Sequence, residues 1–291
     1  MKDLRPATVV LLIALLAGST QAVPPPVPLE DRVADSHVVI VGKVMKIHKG
    51  VTHPAVPGHV PMHVAVTRIL KGPADIKEVV ILYRKPPEDT NRGPIARHTQ
   101  GPGSAGYAVG HAQIWFLNPV APDAYVEDLT WWPVAVGQTD VVAAVVAALA
   151  DPAGVVTNPE TPARTRLAGA YLLVRKALPE DRLPFLTTYA GETAKTVRDT
   201  KGYRLLEPEL ADAAARVAIS LFAQDADNNP LGPRVIARKT LEKLTCPVHR
   251  LAPRRAQPRL EENERLRLWT QAVTKWWADN KGGLKLYVPD E

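Results

Sequence analysis

A-D-S-H-V-V-I-V-G-K-V (Ala34–Val44), followed after a loop of Pro, Gly and His by H-V-A-V-T-R-I-L-K-G (His63–Gly72), decides how the first half of this chain is read. Val38-Val39-Ile40-Val41 places four β-branched residues in a row, and Lys43-Val44-Met45-Lys46-Ile47 continues the run after a single glycine. Branching at Cβ suits a pleated surface and restricts the side chain in a helix. Gly42 inside such a run predicts a bulge or a sharp bend, as at the corner of a small barrel. In the second stretch Val64, Val66 and Arg68 alternate with Ala65, Thr67 and Ile69, the period of a strand with unlike faces. Lys71-Gly72-Pro73 then ends it with turn chemistry.

Working outward, Glu78–Tyr83 reads as a third strand, Gln113–Leu117 as a fourth, and Ala124–Val136, with Trp131 and Trp132, as a fifth that is split. Residues 84 to 112 form a long loop rich in Pro and Gly. At Thr139 the periodicity changes. Val141–Ala150 is rich in Ala and Val with Asp140 placed to cap it. Helices follow over about Thr161–Leu178, Pro179–Ala190, Pro208–Gln224, Pro233–Thr245 and Glu261–Asn280, with Gly282-Gly283 closing the last. Leu167, Ala170, Tyr171 and Val174 make one apolar stripe, and Leu210, Ala214, Val217 and Leu221 another. The expected fold is α+β in two domains: a five-stranded barrel over 23–136, then an all-α domain over 139–291.

Ala34-Asp35, Val41-Gly42-Lys43-Val44 and Ile69-Leu70-Lys71-Gly72 resemble the OB-like barrel of netrin or metalloproteinase-inhibitor type found in bacterial secreted proteins. The resemblance covers roughly residues 30 to 135. Inhibitors of that type chelate a protease zinc through an N-terminal cysteine, and the chain that would follow cleavage here begins without one, so inhibition does not carry over. The helices are similar to the inner helices of HEAT-like repeats over about 139–246, and an irregular bundle is the competing reading.

The first residues carry an address. Lys2 and Arg5 precede an apolar run from Ala7 to Ala17, and Thr20-Gln21-Ala22 offers small residues for cleavage. This is the layout of a secretory signal peptide over 1–22, and the run is too short to span a bilayer comfortably. A secreted or periplasmic location is expected, with no membrane span in the remainder. The net charge of +6 in 291 residues is mildly basic and governs solubility and weak attraction to polyanions rather than a specific nucleic-acid site. Arg250, Arg254, Arg255 and Arg259 are followed at once by Glu261, Glu262 and Glu264, which dilutes the patch. Cys246 is the single cysteine, so no internal disulfide forms, and a buried apolar filler is its expected role.

The chemistry-bearing patterns are few. His48, His53, His59 and His63 lie close together in sequence, with His98 and His111 later. Imidazoles gather zinc or copper when held on one side of a site; His59 and His63 are the expected pair, with His53 third. Gly101-Pro102-Gly103-Ser104-Ala105-Gly106 fits G-x-G-x-x-G in letters, yet lacks the preceding strand and following helix that a dinucleotide needs. Pro102 likewise spoils a nucleophile elbow at Ser104. Asp123, Glu127 and Asp128 offer no evident acid–base pair. Trp269, Trp276 and Trp277 end an amphipathic helix and are the candidate partner-binding residues. The sequence therefore reads as an exported, non-catalytic module that binds an envelope protein or polymer, with no cofactor. Metal binding through loop histidines is the alternative.

Overall fold

The computed structural model describes residues 27–48, 50–54, 56–84, 107–122, 124–127, 133–186, 202–222, 232–253 and 262–290. Residues 1–22, read above as a signal peptide, together with Trp131 and Trp132, His98, the 101–106 glycine motif with Ser104, Asp123, Asp128, Arg254, Arg255, Arg259 and Glu261, lie outside these residues.

Five strands close a barrel: β1 (Val38–Ile47), β2 (His59–Lys71), β3 (Glu78–Arg84), β4 (Ala112–Ala121) and β5 (Ala124–Glu127), in the order β1-β2-β3-β5-β4. All neighbours are antiparallel except β3 and β5, which run parallel. The alternation in the sequence selects the inside. Val60, Met62 and Val64 alternate as buried residues along β2, and Met62 and Val64 join Val79 and Ile81 from β3 and Trp115 and Leu117 from β4 in one buried cluster. Of the expected fifth strand over Ala124–Val136, the described residues form β5 at Ala124–Glu127 and an isolated bridge from Val134 to Ile114.

Gly42 is the corner. The β1–β2 register shifts between Val41 and Gly42, and a Cβ at Gly42 would stand 2.6 Å from Val64 Cγ1 and 3.0 Å from the Ala65 carbonyl oxygen. Two backbones approach there more closely than any side chain permits. Trp115 uses the same place, donating from its indole Nε1 to the Gly42 carbonyl at 3.0 Å.

The helical part comprises α2 (Thr139–Ala150), α3 (Pro152–Thr157), α4 (Ala163–Val174), α5 (Pro208–Phe222), α6 (Pro233–Lys243) and α7 (Glu262–Asn280). Its core joins Leu167, Val174, Ala214, Leu221, Phe222, Ile236, Leu241, Val273 and Trp277. Cys246 lies in that core, where burial pushes its thiol up to about 12. The chain end adds a small sheet, β6 (Leu178–Pro179), β7 (Tyr203–Leu205) and β8 (Leu286–Pro289), ordered β6-β8-β7.

Three elements differ from expectation. Leu29–Asp35 is a helix, α1, an element that the sequence reading above does not include. Pro28 before it and Glu30 and Asp31 in its first turn suit a helix start, but 7 residues are too few to show a period. The helix expected over Pro179–Ala190 is a 3₁₀ segment, Glu180–Leu186, since Pro184 withholds the backbone donor that an α-helix requires there. Gln138, not Asp140, is the N-cap of α2, and Asp140 lies in its first turn.

The bulge yields a direct test. Gly42→Val is expected to destabilise the protein by about 2 kcal/mol or more, because the new side chain must displace both a stiff valine and a backbone carbonyl. Urea denaturation followed by Trp fluorescence measures it, and an unchanged midpoint would contradict the close approach.

Candidate functional site

The histidines sit where β1, β2 and β3 meet on the outside of the barrel. The third register shift of the β1–β2 ladder, between Val44 and Lys46, places them. Val44 pairs with Val64 but Lys46 pairs with His63, so Met45 is an extra residue bulged out of the ladder. A bulge bends its strand and re-aims the residues beyond it. His48 follows the end of β1, held by its backbone N–H to the Pro61 carbonyl at 3.0 Å. Its ring lies 5.0 Å, centroid to centroid, from that of His63.

His63 Nδ1 and Glu78 Oε1 on β3 share a hydrogen bond of 2.5 Å. His48 Nε2 is buried and has no hydrogen-bond partner. Burial, then the Lys46 charge and His63, lowers the His48 pKa and favours its neutral form. The structure therefore brings together His48, His63 and Glu78. The expected pair, His59 and His63, stands four residues apart on one strand face, about 13 Å at the usual rise per residue. The His59 ring lies against the Pro57 carbonyl at 3.3 Å. His53 belongs to the hairpin below, bridged to Val56, with its backbone N–H on the His59 carbonyl at 3.0 Å. Among the described residues no group of three or more His, Cys, Asp or Glu side chains is placed to hold a metal ion.

Inside the barrel end, His111, Gln113, Glu127 and Tyr107 form a chain of side-chain hydrogen bonds. Tyr107 donates its hydroxyl to Glu127 Oε2, Gln113 donates from Nε2 to Glu127 Oε1 at 2.9 Å, and His111 Nε2 meets Gln113 Oε1 at 3.1 Å. Burial, reinforced by the Glu127 charge, raises the Tyr107 phenol far above its ordinary value, so it serves as a donor. Arg32 of α1 reaches this end with its guanidinium 4.1 Å above the Phe116 ring.

A set of charged and polar side chains, from the buried Glu30 to the exposed Asp35, joins α1 to the helices. Arg164 of α4 donates to Glu30 at 2.6 Å, Tyr171 donates its hydroxyl to Asp31 at 2.7 Å, and Arg175 pairs with Asp35 at 2.9 Å. Burial and the Asp31 bond keep the Tyr171 phenol protonated. Lys71, from the Leu-Lys-Gly stretch that ends β2, points its ammonium at the last carbonyls of α1: Val33 at 2.8 Å, Ala34 at 3.1 Å and Ser36 at 2.5 Å. Those carbonyls have no partner within the helix, and a cation there satisfies them. Gly72 follows with φ +117, left-handed backbone beside Val38 that favours glycine.

The candidate tryptophans are turned inward. Trp277 is buried and donates to Asp212 at 2.8 Å, Trp269 donates to the Val248 carbonyl at 2.8 Å and meets Phe222 edge-on at 4.9 Å, and Trp276 packs at the edge of the helical core. Their spacing along α7 is that of a helix docked on its own domain. Sequence reasoning named His48 and Glu127 without giving either a role, and it overlooked Tyr107, Arg32 and Glu78. These gain their partners only from strand register and the docking of α1.

No protein-family model matches this chain, and no curated protein matches it.

Two outcomes follow. Arg164→Ala strands the fully buried Glu30, and loss of one partner of a buried pair costs about 3 kcal/mol or more; urea midpoints are expected to fall accordingly, and Arg164→Met with Glu30→Gln is expected to recover most of the loss. Burial pushes the Asp212 carboxyl up, but hydrogen bonds from Trp277 and Lys281 and the Arg216 charge outweigh it and hold the pKa below 3.8. Its stabilising effect is therefore present above that value and lost as pH falls through the lower, folded-state pKa. The advantage of the wild type over Asp212→Asn is expected to be constant near neutrality and to shrink in acid, read from urea midpoints across pH.

Proposed function

We propose that this protein is an exported, non-catalytic binding module of the cell envelope: a netrin-like, OB-like barrel that meets a protein or polymer partner, carried on a HEAT-like helical part. The observation that carries the reading is an exposed apolar group at one end of the barrel. Met45, Val51 and Val109 are 54%, 54% and 65% exposed. The chain brings them to one end, because Val44 exchanges backbone hydrogen bonds with Gly110 and His111, and the Val51 N–H returns to the His48 carbonyl. Exposed apolar side chains that share one region mark contact surfaces more often than those scattered singly. A barrel of this kind presents such a rim on a rigid frame.

The pairs made by α1 support the same reading. Glu30, Asp31 and Asp35 are engaged with Arg164, Tyr171 and Arg175 in holding the two parts together. Trp269, Trp276 and Trp277 serve the helical core, so the partner surface is assigned to the barrel rim.

Site-specific photo-crosslinkers at Met45 and Val109 in an exporting bacterium test the proposal, with exposed Leu205 on the small sheet as the control position. Discrete adducts are expected from the two rim positions and not from Leu205, together with removal of residues 1–22 seen by mass spectrometry. A chain that stays unprocessed, or adducts that do not depend on the rim, would overturn it.

A further inference from the structure

We infer that His48 and His63 form a two-histidine site for a borderline divalent cation, Cu²⁺ or Zn²⁺, with Glu78 as the carboxylate that orients His63. Three independent features of the geometry converge on it. The two rings stand 5.0 Å apart at an interplanar angle of 45°, a separation at which a nitrogen from each can turn toward a common ion. Glu78 holds His63 Nδ1 at 2.5 Å, which leaves Nε2 as the free lone pair. Metal-ligating histidines almost always donate their other ring N–H to a carboxylate or carbonyl, which fixes the tautomer and raises the basicity of the ligand. His48 Nε2 is buried and unpartnered, and a buried polar atom without a partner is costly unless something occupies it.

The placement is produced by the Met45 bulge. In an unbroken ladder Met45 would face His63 across the strand pair; the extra residue carries the chain onward so that His48 comes to rest beside it. Lys46 and His63 are the charged groups that act on His48, and the Glu78 carboxylate bonds His63 Nδ1 from β3. With two protein nitrogens, the remaining positions on the ion are left for water. Neutral imidazole selects copper or zinc over magnesium or calcium, and copper over zinc by the usual order of divalent affinities. This site is distinct from the apolar rim and does not depend on the partner proposed above.

Equilibrium dialysis and calorimetry of the full chain with Cu²⁺ or Zn²⁺ alone test it. One saturable equivalent is expected for each metal, tighter for Cu²⁺, with none for Mg²⁺. The Cu²⁺ electron paramagnetic resonance spectrum is expected to show coupling to two imidazole nitrogens. Glu78→Ala is expected to weaken binding about 10–100-fold, with Glu78→Gln recovering part. His48→Asn and His63→Asn are expected to remove the two-nitrogen spectrum, while His53→Ala and His59→Ala leave it intact. All five positions are on the barrel exterior or in turns, and unchanged thermal midpoints would show that the variants fold. No saturable binding, or binding that His48→Asn leaves unchanged, would overturn the assignment; loss of binding in His59→Ala with retention in His48→Asn would return the site to the other pair.

Discussion

Glu30 and Arg32 are charged side chains carried into the interior on a helix of 7 residues, and both are almost wholly buried. Charges leave water only where partners wait for them. Arg164 of α4 meets Glu30, and the Phe116 face of the barrel meets Arg32. A single short helix is thus bound on one side to the strands and on the other to the helices. Its apolar face, Leu29 and Val33, completes a cluster with Val39, Val41, Ile114 and Phe116 from the barrel and Val142, Val145 and Leu172 from the helices. Barrel and helices share that core.

The consequence reaches back into the strands. Lys71 ends β2 and caps α1 with three hydrogen bonds, so the turn that leads from β2 to β3 also fixes where the helix stops. Gly72 then needs a backbone conformation that a side chain resists. The Leu-Lys-Gly stretch, which reads as punctuation in the sequence, is a joint in the molecule. It links barrel closure to the docking of everything behind it.

Functional chemistry is confined by the same arrangement. Glu30 and Asp35 of α1 are engaged with Arg164 of α4 and with Arg175 just beyond it, and Glu127 is engaged with Tyr107 and Gln113. His48 Nε2, buried without a partner, lies at the other end of the first hairpin, beyond the Met45 bulge. Met45 and His63 stand on the strands there, while His48, Val51 and Val109 lie in the segments that connect them.

Much of this was legible beforehand. β-branched runs with period 2 dictated five strands, and Gly42 announced the corner because no other residue belongs in the middle of such a run. The helices α4 to α7 showed their stripes. The inward turn of Trp269, Trp276 and Trp277 was open to the sequence only as one of two readings, since ring spacing marks a buried face without saying whose core buries it. The barrel's closure with a parallel β3–β5 pair, the helix α1 and the partners of Glu30, Glu78 and His48 were decided by tertiary structure alone. Local sequence sets which way a side chain points along its own strand or helix. Only register, shifted by one residue at Met45, and the packing of distant elements decide what it points at.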